Sequence, residues 1–179
     1  ITPAPEIAAA LNDATNETLK ADDPRLSTSS YKIVAAPKAS LEAAAKRARE
    51  KGYRVDILGD SLEGEARQVA TFHAAMALDA KRRGEKVAIM SGGELTVTVK
   101  GNGSGGPNQE YALGLAIALN GASGIAGLAG DTDGIDGGGG NAGDPAGAMV
   151  FPDTLQRASA KNQNAANFLE NNDSTGFFR

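Results

Sequence analysis

Apolar and polar positions alternate in two rhythms, one of period two and one near 3.6, with glycines at most changes of rhythm. Residues 31–36 form a short apolar run closed by Pro37, which predicts a strand. Residues 41–51 follow, with Ser40 to cap a helix and Gly52 beyond its end. A second strand is expected over 53–58, then a turn at Gly59, Asp60 and Ser61, then a helix over about 63–83. Val69, Phe72, Met76 and Ala80 share one face of that helix, and Gly84 closes it. Residues 86–90 make a third strand, and strand–helix–strand–helix–strand with short links predicts a parallel sheet covered by helices. The link through Ser91, Gly92, Gly93 and Glu94 is too short for a crossover helix, so Met90 and Leu95 are expected to begin an antiparallel hairpin into a strand over 95–100. A helix rich in Ala and Leu follows over 108–120, then short strands over 125–129 and 148–151. A last helix opens at Pro152 and Asp153, and its register blurs in the Asn-rich stretch 162–172. Upstream, Ile7, Leu11, Ala14 and Leu19 predict a short amphipathic helix within 5–20, followed by a linker from Asp22 through Ser30. The expected fold class is α/β, with a mixed, mainly parallel β-sheet flanked by helices.

Composition narrows the partners. Aromatic residues are only 4% of the chain, so the core is built from Ala, Leu, Val and Ile, as suits helices packed closely on a sheet. A formal net charge of -4 argues against nucleic acid and anionic membranes as partners. The chain has no Cys, hence no disulfide framework and no thiolate zinc site, and no apolar run long enough to span a bilayer; a cytoplasmic protein is expected. The chain opens on Ile1 rather than Met and ends on Arg179 just after a polar turn, which reads as a piece of a longer protein truncated at both ends.

Chemistry is expected in three loops that follow strands. Gly101, Asn102, Gly103, Ser104, Gly105 and Gly106 have little side-chain cover and could bring N–H groups to an anion. Pro107 suits the first position of the next helix, whose N-terminus adds donors and the positive dipole end. The loop formally matches G-x-G-x-x-G, but the preceding strand is not a continuous apolar run, and Glu110 would bring negative charge near a pyrophosphate. A P-loop is excluded, because Pro107 and Asn108 stand where Lys and Ser or Thr are needed. Asp131, Asp133 and Asp136 lie on one turn-rich loop and are candidate hard oxygen ligands for Mg²⁺, the alternative being a solvated acidic turn. Glu94, after two glycines, either approaches a ligand or is an ordinary hairpin residue. The lone His73 reads as structural, and Lys81, Arg82 and Arg83 as stabilisers of a helix C-terminus.

Three motifs in order, Ser91-Gly92-Gly93-Glu94, Asn108-Gln109-Glu110 after the glycine loop, and Asp131-Thr132-Asp133-Gly134, resemble the MOFRL domain, the C-terminal part of bacterial glycerate 2-kinases. Relatives are often labelled hydroxypyruvate reductase. The resemblance runs from about residue 31 to 179, with residues 1–30 as an inter-domain helix and linker. It implies an ATP- and Mg²⁺-dependent phosphorylation of D-glycerate to 2-phosphoglycerate, in a cleft shared with an N-terminal domain of the same chain. It also implies closing strands beyond Phe178 and an isolated piece that is inactive. A nicotinamide-dependent reductase and a non-catalytic assembly module are the alternatives.

Under this resemblance Asp131 and Asp133 take metal or base roles, with Asp136 as a further metal ligand. Ser91, Gly92, Gly93, Glu94, the loop residues 101–106, Asn108, Gln109 and Glu110 bind substrate and phosphate. The basic side chains of many relatives' glycine loops are replaced here by Ser104 and Pro107, and Lys100 supplies positive charge in their place. An open sheet edge left by missing strands would favour a homo-oligomer.

Overall fold

The structure, a computed structural model, describes residues 3–137, 143 and 145–179. By internal contacts the chain divides into two compact units, Ile1–Val34 and Ala35–Arg179.

The first unit is built from local hydrogen bonds. Helix α1, Pro5–Asn12, starts with Pro at its first position and buries none of its residues. It stops well short of the expected extent because the Asp13 carboxylate accepts from the Thr15 N–H at 2.9 Å, starting a 3-10 turn instead. The expected strand over 31–36 does not form. Tyr31, Ile33 and Val34 are strand-forming residues, but they are 92%, 73% and 88% exposed, and among the described residues no strand pairs with them.

In the second unit Pro37 opens a helix rather than merely closing a strand. Helix α2 is Pro37–Glu50, with Pro at its first position. Strand β1, Arg54–Ile57, pairs in parallel with β3, Val87–Met90. Strand β2, Leu62–Glu65, pairs in parallel with β4, Gly93–Thr96. Bonds from Leu58 N to Met90 O at 2.8 Å, Gly92 N to Gly59 O at 2.9 Å and Leu62 N to Gly92 O at 2.9 Å join the two pairs end to end. The four residues 58–61 thus oppose the two residues 91–92 in a bulge along one long ladder.

This overturns the hairpin expected between Met90 and Leu95. The chain runs straight through Ser91 and Gly92, and β4 pairs with β2 rather than folding back on β3. Gly93 permits it: its φ is +140°, and a Cβ there would lie 2.1 Å from Leu62 O. Helix α3, Ala66–Arg82, accordingly starts after β2 rather than at residue 63.

Helix α4, Pro107–Leu119, is the buried centre of the unit. Ala70 and Ala74 of α3 pack with Ala112, Leu115, Ala116 and Leu119 of α4 and Val150 in one apolar cluster. The helices cross closely at Gly114, where an added methyl would lie 3.2 Å from Ala70 Cβ and 3.3 Å from Arg67 Cα. Strands β5, Gly127–Gly130, and β6, Gly147–Val150, pair antiparallel, so the architecture is mixed α/β with parallel pairs as expected. The C-terminal helix breaks into three: α5 Thr154–Ala160, α6 Ala165–Glu170 and α7 Ser174–Phe178. Asn162 and Asn172 take left-handed φ values of 58° and 53° between them, while Asn164 and Asp173 cap α6 and α7. Leu113, Ala158 and Phe177 form a second apolar cluster beneath α4. Among the described residues no helix is long and apolar enough to cross a membrane.

Candidate functional site

Backbone N–H groups of a glycine-rich loop must find acceptors, in a ligand, in water or in the protein. Here most find them in the segment between α6 and α7. The Asn172 side-chain oxygen accepts from Lys100 N at 2.7 Å and Gly101 N at 2.9 Å. Asn171 takes Asn102 N on its side chain at 3.3 Å and Gly103 N on its carbonyl at 2.9 Å. Asp173 takes Ser104 N at 3.1 Å, and Ser104 O accepts from Thr175 N at 2.9 Å. The glycines serve this close approach. A Cβ at Gly101 would lie 2.3 Å from Asn171 O, and one at Gly103 2.3 Å from Asp173 Cβ. Strand β4 ends at Thr96, short of the expected residue 100, and the Thr98 N–H turns to the Glu65 carboxylate, 3.1 Å from each oxygen.

The N-terminus of α4 is also occupied from within the chain. Asp136, only 5% exposed, accepts from Asn108 N at 2.9 Å, Asn108 Nδ2 at 3.1 Å and Gln109 N at 2.7 Å. Its carboxylate stands where an anion would sit at a helix start. This bond set draws the acidic loop onto the glycine loop: a Cβ at Gly137 would lie 2.9 Å from Gly106 Cα and 3.0 Å from Gly105 O. Of the three loops expected at one rim, the acidic loop and the 101–106 loop meet, through Asp136, Gly137, Gly105 and Gly106. Asp131 and Asp133 lie further out on the loop. Each spends one oxygen locally, Asp131 Oδ1 on Asp133 N at 3.2 Å and Asp133 Oδ1 on Ile135 N at 2.9 Å.

Gln109 and Glu110 are 1% and 2% exposed, so neither reaches solvent. Gln109 Oε1 accepts from Thr175 Oγ1 at 2.9 Å, tying α4 to α7. Glu110 Oε1 accepts from Arg67 Nε at 3.0 Å and Nη2 at 2.6 Å, and its Oε2 from Asn172 Nδ2 at 3.0 Å. Asn108, Gln109, Glu110 and Asp136, expected at substrate or metal, thus make framework bonds.

Ser91 to Glu94 lie elsewhere, along the parallel ladder, with Glu94 exposed and in register with Glu63. Among the described residues no hydrogen bond links them to the glycine or acidic loops. Lys100 is exposed and makes no ion pair among the described residues. His73 is buried, its Nδ1 2.8 Å from the Tyr111 hydroxyl. Burial lowers its pKa, and burial pushes the Tyr111 hydroxyl up to about 12.

Sequence reasoning missed Glu65, Arg67, Thr98, Asn171, Asn172 and Asp173. The available signal was the run Asn171, Asn172, Asp173, which are residues suited to caps and left-handed turns, placed where helical periodicity fails.

The geometry defines an α/β domain whose polar loops gather at the N-terminus of one buried helix. The MOFRL family profile matches residues 87–179, and the chain belongs to the MOFRL family. It is 45% identical over 159 residues, 86% of this chain and 35% of the relative, to a putative hydroxypyruvate reductase of Agrobacterium vitis. To a D-glycerate 2-kinase of Thermotoga maritima it is 36% identical over 131 residues, 71% of this chain and 30% of the relative. A crystal structure of glycerate kinase from Thermotoga maritima superposes with a TM-score of 0.70 at 35% identity, over 82% of this chain and 36% of that one. The chain therefore spans about a third of the length of these relatives.

Proposed function

We propose that this chain is the C-terminal part of a D-glycerate 2-kinase, which transfers a phosphoryl group from ATP to D-glycerate to give 2-phosphoglycerate. The observation that carries the reading is the meeting of acidic and glycine loops at the start of α4, in a chain so similar to a D-glycerate 2-kinase. Phosphoryl transfer depends mainly on positioning and on charge stabilisation, so a fixed carboxylate loop and a nearby cation are the parts it needs.

Asp131 and Asp133 each keep an oxygen free of partners among the described residues. Two such oxygens fit a Mg²⁺ shared with phosphates and water, although among the described residues no group of three or more potential ligands clusters. Bound there, the ion would offset phosphate charge. Asp136 is spent on α4, so its role is to hold the loop. Lys100 contributes positive charge at the entrance of the glycine loop. The remaining cleft wall belongs to an N-terminal domain of the same protein, with residues 1–30 joining it to the domain at 31–179. We place the reaction in the cytoplasm, and this piece alone is inactive.

A nicotinamide-dependent hydroxypyruvate reductase is the second reading, prompted by the names of similar proteins. It needs a pyrophosphate at the helix start that Asp136 already fills. The test assays the full-length protein for ATP-dependent glycerate phosphorylation and for NADH oxidation with hydroxypyruvate. Phosphorylation that falls at least tenfold in Asp131→Asn and Asp133→Asn supports the kinase. NADH oxidation without phosphorylation would replace it with the reductase.

A further inference from the structure

Beside the first turn of α3, where the chain leaves β4, lies a recess of about 120 Å³ lined by Glu65, Arg67, Gln68, Thr98 and Lys100. A water needs only about 10–15 Å³ of such space, so the recess has room for several waters or a small three-carbon acid.

Its walls differ in character. On one side the Arg67 guanidinium is held by Glu110 and by Leu169 O at 3.2 Å, and its Nε also lies 3.8 Å from Glu65 Oε1, which leaves Nη1 without an acceptor among the described residues. Lys100 brings an ammonium with no ion pair, and Gln68 an amide with no side-chain hydrogen bond, among the described residues. On the other side Glu65 is fixed by Thr98, whose Oγ1 donates to Glu65 Oε2 at 2.9 Å and whose N–H reaches both oxygens. A carboxylate offers about four lone-pair positions, so Glu65 can accept another hydrogen.

Lys100 and Gln68, without side-chain partners among the described residues, line the same recess as the Glu65–Arg67 pair, and together they select a guest with both an anionic group and a donor. An anion alone meets Glu65 unfavourably, and a multiply charged phosphate more so. A small acid whose carboxylate lies beside a hydroxyl satisfies both walls at once. We propose that this recess is the subsite for a short hydroxy-carboxylate, with its carboxylate on Lys100 Nζ and Arg67 Nη1 and its hydroxyl donating to Glu65. The proposal rests on the kinase reading only for naming D-glycerate as the guest. It moves the acid away from the glycine loop, whose amides are bonded within the chain.

The test uses the full-length protein and two measurements. Calorimetry without nucleotide compares D-glycerate, propionate and inorganic phosphate. D-glycerate is expected to bind, and propionate at least tenfold more weakly, because a site built around a hydroxyl rejects the analogue that lacks it. Steady-state kinetics then compares wild type with Lys100→Gln and Gln68→Ala, both at surface positions that leave the fold intact. Lys100→Gln should raise KM for glycerate at least tenfold, and Gln68→Ala by a smaller factor, with KM for ATP unchanged. Equal binding of propionate or phosphate, or a Lys100→Gln effect on ATP rather than glycerate, overturns the subsite. A protein that binds D-glycerate with these preferences but transfers no phosphoryl group overturns the kinase reading and leaves the subsite standing.

Discussion

Two helices of this domain, α3 directly after β2 and α4 beyond the loop that follows β4, have N-termini with opposite fates. At α4 the Asp136 carboxylate takes the Asn108 and Gln109 N–H groups, and Asn171, Asn172 and Asp173 take the amides of the approaching loop. At α3, among the described residues, no side chain caps the first turn, and Lys100 and Gln68 line a recess beside it without side-chain partners. The region that looks in sequence like an anion cradle is closed on itself, while the ordinary-looking one is open. Glycine in a loop therefore reports close approach of something, and here that something is the chain's own C-terminal segment.

The largest test of the closed side is Glu110→Ala. It leaves the partly buried Arg67 guanidinium with only Leu169 O and the more distant Glu65 carboxylate and orphans Asn172 Nδ2, so the loss should approach the lower end of the about 3–5 kcal/mol that breaking a buried pair costs. Urea unfolding should show it as a shifted midpoint. Asp136→Ala follows, at about 2–3 kcal/mol, from the loss of a charged acceptor for three donors. Asp136→Asn should recover part of that, because one oxygen remains.

A smaller effect comes from the His73–Tyr111 pair between α3 and α4. The folded protein disfavours the charged imidazole, so it binds fewer protons there than the unfolded chain does. Stability should be full above about 6.5, fall as pH drops below that value, and level off once the folded ring also protonates. His73→Gln should flatten this part of the profile. Tyr111 acts at the other end: with its pKa raised from 10.0 to about 12, stability should decline as pH rises through that interval. The smallest stability effect is on the open side. Lys100→Gln should change unfolding by less than about 0.5 kcal/mol, as exposed substitutions do. A large loss there would mean that the recess is framework too.

Much of this arrangement was legible from local rules. Pro107 marked the first residue of α4, strand–helix alternation marked the parallel pairing, and the position of the acidic and glycine loops after strands anticipated their meeting. Three things were not. A glycine pair after β3 reads as a turn, but Gly93 serves a bulge that only the partner strand at Leu62 makes necessary. Residues 31–36 have strand propensity, yet a strand needs a neighbour that sequence cannot supply. Finally, the acceptors for most of the 100–104 amides, and the donor to the Thr98 carbonyl, lie 69 to 74 residues away, beyond any local pattern. Asn172 alone bonds Thr98, Lys100, Gly101 and Glu110, and nothing in its neighbourhood in the sequence announces that.

Residue-resolved amide hydrogen exchange tests the closed-against-open contrast most directly. Gly101, Gly103, Asn108 and Gln109 should exchange slowly, and Arg67 and Gln68 at rates near those of an unstructured chain. Rapid exchange throughout 101–109, together with protection at Arg67 and Gln68, would contradict the account.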